Sequence, residues 1–321
     1  MSLLKRLTIL PLTLSVLATA PSFAKDLDYP KERLNYTIAF GPGGGNDLMS
    51  RTVVDILKKN DFYQKNIRVD NLAGGSGAVG FNHVAQQKGN PYHMTSTSGN
   101  FLGTPLISDT GWTYEDFTPI GLLAQDAMFL VVRSDSPFKT AKDFVEYAKN
   151  NRVVIGGTGA AGPERVVASL FAEKAGFTFD YVPSQDGGGM VTSLTSHSVD
   201  AIVANPSEVS GQIKAGNFIP LAYSEEQRST VYTDVPTFKE QGYDFAFALP
   251  RGVVMPKGID SDVQQWWVDT MKKVVATEEW KSYLKTNSLS GNTVWGEDFG
   301  KNLANTNAEF KRVLTQIGAI K

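Results

Sequence analysis

Residues Gly41 to Asp47 read GPGGGND, and two later stretches repeat the theme: GGTGAAGPE over Gly156–Glu164 and SQDGGGM over Ser184–Met190. Glycines let backbone N–H groups approach a guest with no Cβ in the way, and the free N–H groups of a helix's first turn attract anions. Acid/base equipment is sparse by comparison. Cysteine is absent and the histidines number three, His83, His93 and His197, each standing alone in the sequence. No G-x-S-x-G or H-E-x-x-H occurs, and no glycine turn continues into G-K-[ST]. The chemistry to expect is the holding of an anion by main-chain amides.

Gly75-Ser-Gly77-x-x-Gly80 and Gly157-Thr-Gly159-x-x-Gly162 match the dinucleotide pattern in spacing. A true fingerprint needs a carboxylate at the end of the next strand to bind ribose. Neither match has one: the strand after Gly80 ends in Thr95–Ser98, and Asp180 falls early in the strand after Gly162. No cofactor is expected, and no metal.

Side chains beside the glycine turns complete the candidate site. Gly43, Gly44, Gly45, Asn46 and Asp47 offer amides and polar groups at one strand end, with Asn46 or Asp47 a natural N-cap. Ser98 and Asn100, with Ser96, offer donors at another. Gly157, Thr158, Gly159 and Arg165 belong to the second turn, where an arginine can grip a carboxylate through two parallel hydrogen bonds. A solvated arginine or a structural ion pair would account for Arg165 equally well. Gly187 and Gly188 mark the third turn; Asn205 and Glu208, in ANPSE, face the same rim, although N-capping alone also explains Asn205.

The elements that must position these residues alternate. Strand-like 36–40 precedes a helix over 47–59; 67–71 precedes a helix through 78–87; 92–97 reads as the next strand. Strands over 129–133, 153–156, 179–182, 201–204 and 219–223 alternate with helices over 140–149, 163–175, 188–195 and 207–214. Repeated βα units predict an α/β fold with mostly parallel sheets. Segments 115–125 (EDFTPIGLLAQ) and 243–254 (YDFAFALPRGVV) read as crossings between two lobes, one of roughly 25–125 plus 247–321 and the other of 126–246. Ligands of open α/β sheets sit beyond the carboxyl ends of the strands, so facing lobes bring the glycine turns to one cleft. Trp266, Trp267 and Trp280 fall in C-terminal helical patterns and read as core.

The ends and the composition fix the setting. Lys5 and Arg6, an apolar stretch from Leu7 to Leu17, and Ser22-Phe23-Ala24 lay out a secretory signal peptide over 1–24, cleaved after Ala24. Its removal leaves 297 of the 321 residues and takes two positive charges from a formal net of −2, giving −4. The expected location is the periplasm. A weakly acidic chain without a Lys/Arg cluster argues against nucleic acid or an anionic membrane as partner, and a monomer is expected.

Longer stretches carry a resemblance. IAFGPGGGNDLMSR, IRVDNLAGGSGAVGFNHVA, DFTPIGLLAQDAMFLVVRSDSPFKTAKDFVEYAK, VVIGGTGAAGPERVVASLF, YVPSQDGGGMVTSL, HSVDAIVANPSEVSGQIKAG and TDVPTFKEQG, in order and over nearly all of the mature chain, resemble the Bug-type extracytoplasmic receptors of tripartite tricarboxylate transporters. The resemblance implies a two-lobe, type II-like periplasmic-binding-protein fold closing on a small di- or tricarboxylate, and delivery to one large and one small integral-membrane subunit. It places the ligand carboxylate on the amides of Gly43–Asp47 and Gly157–Gly159, with Gly187–Gly189 in support. GPGGGND and RGVVMPKG resemble the tricarboxylate-receptor branch. A histidine or similar polar residue is common in the family where this chain has Arg165, and an arginine there suits an additional negative charge. A secreted enzyme on the same scaffold and a ligand-sensing subunit are the alternatives.

Overall fold

Strands that lie inside a sheet covered on both faces read as near-continuous apolar runs, and several interior strands of this protein do. LNYTI, FLVVR and AIVA are buried almost throughout, whereas the edge strands IRVDN and DYVPS are largely polar and accessible. A computed structural model describes residues 27–158, 162–184 and 187–320. The leader assigned to 1–24 lies outside the described residues, and among those described no helix is long and apolar enough to cross a membrane.

In chain order the elements are β1 (Leu34–Ile38), α1 (Gly45–Lys59), β2 (Ile67–Asn71), α2 (Ala78–Ala85), β3 (His93–Ser96), α3 (Gly99–Ile107), β4 (Phe117–Ala127), β5 (Phe129–Arg133), α4 (Ala141–Ala148), β6 (Val154–Thr158) and α5 (Pro163–Ala175). There follow β7 (Asp180–Ser184), α6 (Gly187–Thr195), β8 (Ala201–Ala204), α7 (Pro206–Lys214), β9 (Phe218–Tyr223), β10 (Ala248–Pro256), α8 (Ser261–Ala276), α9 (Glu278–Asn287), β11 (Val294–Trp295) and α10 (Gly296–Gln316). They build two sheets, ordered β11-β4-β10-β3-β1-β2 and β7-β6-β8-β5-β9. Met128 alone separates the last strand residue in the first sheet from the first in the second. The return, at Ser224, is stitched to it: the Met128 N–H donates to Ser224 Oγ (2.9 Å) and the Ser224 N–H to the Met128 carbonyl (2.9 Å).

One expectation is corrected here. The sheets are mixed rather than mostly parallel: β1 with β2 and β3, and β6 with β7 and β8, run parallel, while β10 with β3 and β4, β11 with β4, and β5 with β8 and β9 run antiparallel. The segments read as crossings lead between the two sheets and, beyond that expectation, also form the longest antiparallel pair of the first sheet, β4 against β10. Their Pro and Gly content looks like linker. Proline is admitted to strands at irregularities in register, and the β4–β10 register shifts between Val253 and Val254, opposite Pro119, and again between Arg251 and Gly252, one residue after Pro250. Helix α3 was not expected at all, because Gly99, Gly103 and Pro105 obscure its period.

Each sheet is sandwiched between helices. One face of the first sheet packs Met49, Val53 and Leu57 of α1 with Trp267 and Trp280, both essentially inaccessible. The other packs Phe81, Phe101 and Phe299. The second sheet buries Phe144 and Phe171 on one side and Met190, Leu194 and Val209 on the other. The last turns of α10 join this second set through Phe310, Val313 and Leu314, and Arg312 pairs with Glu173 of α5 at 3.0 Å.

Candidate functional site

Among the helices whose first N–H groups receive no side-chain cap are α1 after Gly44, α3 after Ser98 and α5 after Gly162. All three starts meet at one cavity of about 270 Å³ between the sheets. Of the residues nominated from sequence, Gly44, Gly45, Asn46, Ser98, Asn100 and Thr158 line it, joined by Phe40, Gly99, Pro163, Glu164, Leu249 and Arg251. A larger cavity of about 400 Å³ opens between 223–231 and 281–292, but no helix N-terminus points there and its Arg228 is engaged with Glu240. The smaller cavity is the better candidate, because orphaned amide donors and helix dipoles converge on it.

The first glycine turn is held from behind. Gly43 takes φ +88°, a left-handed conformation that glycine adopts at no steric cost. Its N–H donates to Asp47 Oδ2 (2.9 Å), while Asp47 Oδ1 accepts from Asn71 Nδ2 (2.8 Å) and Arg51 Nε (2.9 Å). Burial alone would raise the Asp47 carboxyl; the bonds from Arg51, Gly43 and Asn71 outweigh it and hold the group below its ordinary value. Asp47 and Gly43 therefore fasten the turn and do not line the cavity. The N-cap is Gly44, two or three residues before the expected position, since α1 starts at Gly45. Asn46 ties the turn to the end of β3, donating from Nδ2 to the carbonyls of Ser96 (3.2 Å) and Thr97 (3.1 Å).

Arg251, absent from the sequence nominations, supplies the cavity's positive charge. A register irregularity lies next to it in β10, the kind of place where strands present side chains off their regular alternation. Its guanidinium lies so close to Gly45 that a Cβ there would stand 2.9 Å from Nη1 and Nη2. Arg251 Nε donates to Asp126 Oδ2 at 2.8 Å, and Nη2 reaches the same oxygen. Burial opposes the Arg251 charge, but Asp126 beside it raises its proton affinity above the ordinary value. Asp126, itself buried, also accepts from Asn205 Nδ2 (2.6 Å), while Glu208 Oε2 accepts from the Asn205 N–H (3.2 Å). Asn205 and Glu208 thus work on Asp126 and on the start of α7, not on the cavity wall. Gly187 packs against Glu208, and Gly188 is exposed at the start of α6.

On the second-sheet side, Thr158 Oγ1 donates to Glu164 Oε1 (2.8 Å). Glu164 is buried in the first turn of α5, and burial pushes its carboxyl up to about 7; Glu208 and Asp126 add to the rise, against the bonds from its own backbone and Thr158. Gly157 is enclosed by Tyr181 and Glu164. Arg165 lays its guanidinium over the Tyr181 ring, 5.3 Å from the centroid, and does not line the cavity. Gly159 lies outside the described residues. The histidines are not all solitary: the rings of His83 and His93 are 5.9 Å apart. Among the described residues no group of His, Asp and Glu could hold a metal ion. Glu164, Arg251 and Asp126 lie within quoted stretches, Glu164 at the end of the second glycine turn, Arg251 at the head of RGVVMPKG and Asp126 in LLAQDAMF, but local spacing did not tell that their side chains meet at one place.

The tripartite tricarboxylate transporter family receptor profile matches residues 50–319. A UPF0065 protein of Cupriavidus necator is 24% identical over 308 residues, 95% of this chain and 93% of its own. A TctC solute binding protein from Polaromonas superposes with a TM-score of 0.81 at 26% identity, covering 90% of this chain and 99% of that one. The R. palustris protein Rpa4515, solved with adipate, gives 0.76 at 20% identity, covering 91% and 99%. The two-sheet α/β architecture is that of periplasmic binding proteins.

Proposed function

Since the chain belongs to the tripartite tricarboxylate transporter receptor family, we propose that this solute-binding receptor works in the periplasm, capturing a small di- or tricarboxylate and passing it to cognate integral-membrane transporter subunits. The observation that carries this reading is the meeting of three uncapped helix starts and the Arg251 guanidinium at one small cavity. Amides already aimed at an anion bind it without reorganising, and lobe closure that removes water strengthens each bond. In this reading residues 25–125 plus 247–321 form one lobe and 126–246 the other. Gly44, Gly45, Asn46, Ser98, Asn100 and Thr158 touch the guest, while Gly43, Asp47, Gly157, Asn205 and Glu208 hold them in place. Adipate in the R. palustris neighbour makes dicarboxylates the first solutes to try. Family likeness to receptors favours binding without turnover.

A thermal-shift panel of di- and tricarboxylates on the purified protein is the test. A ligand at about a hundredfold over its Kd stabilises by about 2.7 kcal/mol, raising the midpoint by about 4 °C. A panel with no shift for any acid removes the proposal.

A further inference from the structure

Thr158 ends β6 at the cavity and Glu164 begins α5 there, and their side chains meet: Thr158 Oγ1 lies 2.8 Å from Glu164 Oε1. Thr158 is half-buried, whereas Glu164 is only 4% exposed. The second carboxyl oxygen, Oε2, is sealed from water and has no hydrogen-bond partner. An ionised carboxylate carries acceptors alone, and a protonated one adds a single donor. The direction of the bond to Thr158 therefore depends on that proton. With Glu164 ionised, the Thr158 hydroxyl hydrogen is spent on Oε1, and Thr158 turns only lone pairs to a guest. With Glu164 protonated, Oε1 donates to Thr158 Oγ1 and the hydroxyl hydrogen is released toward the cavity. Oε1 is the oxygen that takes the proton, because a proton on Oε2 would find no acceptor.

The surroundings of Glu164 favour the protonated form. Burial pushes the carboxyl up to about 7; Glu208 of α7 and Asp126 of β4 add to the rise, against the bonds from its own backbone and Thr158. On β7, the Tyr181 phenol sits against Gly157 beside Glu164, its proton held firmly by burial first and by the Glu164 charge second. The neighbouring cations are engaged: Arg251 of β10 with Asp126, and Arg165 of α5 over the Tyr181 ring. An anionic guest on the first-turn amides of α1, α3 and α5 brings a second carboxylate to this cavity, and two carboxylates sharing a site do not both stay ionised without cost. Glu164 is the one that yields, since the guest meets amide donors and Arg251, whereas Glu164 Oε2 meets none.

Resting on the carboxylate-receptor reading, we propose that capture is proton-linked: Glu164 takes a proton from solvent onto Oε1 as the anion enters, reverses its hydrogen bond to Thr158, and so turns the Thr158 hydroxyl into a donor for the guest carboxylate. No bond of the guest is made or broken. Glu164 is in this scheme a positioning residue that acts through Thr158, and the receptor loads better in acidic than in alkaline surroundings. A bond that merely tied β6 to α5 would leave affinity independent of pH.

Calorimetry with adipate, succinate and malate on the purified protein tests this at about pH 6.5 and about pH 8.5, where these acids are largely ionised. Each titration is run in phosphate and in Tris, whose different ionisation heats report the protons exchanged. The expected result, for an acid that binds, is affinity weaker by about tenfold or more at the higher pH, with uptake of about one proton per acid bound there. Equal affinity at both pH values without proton uptake overturns the inference and leaves the receptor reading intact. No binding of any of the three overturns the inference, and silence from the whole thermal-shift panel overturns the receptor reading with it. Glu164→Gln gains an NH₂ that can donate to Thr158 Oγ1 but cannot titrate, so the ratio between the two pH values should fall below about twofold and proton uptake should vanish. A ratio as steep as the parent's rejects Glu164 as the titrating group. Thr158→Val removes the hydroxyl and should weaken binding by about fivefold at the lower pH and by less at the higher, where that hydroxyl is already spent on Glu164; equal losses reject the reversal. The parent's own proton uptake decides the matter if either variant fails to fold.

Discussion

Glu164 and Arg251 show how single residues acquire properties their local sequence does not announce. The Glu164 carboxyl sits at about 7 in the folded chain against an ordinary 4.5. Between those values the folded state keeps a proton that the unfolded chain has lost. Stability of the ligand-free protein therefore contains a contribution that is complete below about 4.5, falls as pH rises and is gone above about 7. At about 1.4 kcal/mol per pKa unit, the fall is on the order of 3 kcal/mol. Urea denaturation at about pH 5 and about pH 7.5 should show it in the parent protein and a flatter profile in Glu164→Gln; equal slopes would contradict the burial argument. Arg251 makes a different prediction, because its partner Asp126 is sealed from water. Arg251→Met leaves that carboxylate with Asn205 alone and should cost about 3–5 kcal/mol, whereas Asp126→Leu/Arg251→Met should cost less than the single change. Denaturation midpoints that rank the double variant lower would show the pair to be independent.

At the scale of elements, the β4–β10 ladder and helix α10 do the joining. The ladder carries the chain to the point where it leaves one sheet for the other, and its irregularity falls beside Arg251, which lines the cavity. Helix α10 contributes Phe299 and Leu303 to the first sheet's packing and Phe310, Val313 and Leu314 to the second's. Phe310 is inaccessible and its ring centroid lies 5.4 Å from that of Phe247. Phe310→Ala should lower stability by about 3–5 kcal/mol; a loss under about 1 kcal/mol would mean that the end of α10 is a loose appendage. The C-terminal helical pattern was plain in the sequence. Its division between two packing regions was not, because amphipathic spacing identifies a buried stripe and not the surface that buries it.

For the whole molecule, the proposed closure has few places to act: Met128, the 224–247 return, and α10 spanning both sides. Small-angle scattering should give a lower radius of gyration at saturating ligand than without it, and an unchanged radius alongside calorimetric binding would rule closure out. By itself the sequence determined the α/β alternation, the glycine turns at strand ends, the absence of thiol chemistry and the likeness to a receptor family, since each is written in local spacing or in ordered motifs. Gly44, Gly45, Asn46, Ser98, Asn100 and Thr158, which line the cavity, could be nominated for that reason: they end or follow strands, where α/β folds present their backbone amides. Tertiary structure alone decided that Asp47, Asn205 and Glu208 lie behind the cavity wall, that linker-like 115–125 and 243–254 belong to an interior strand pair, and that Arg251, Asp126 and Glu164 gather their charges beside that cavity. Those three come from strands and a helix up to 125 residues apart in the chain. Their partners, burial and proton affinities exist only once folding brings them together, because the field at a buried group depends on what surrounds it and not on what precedes it in sequence.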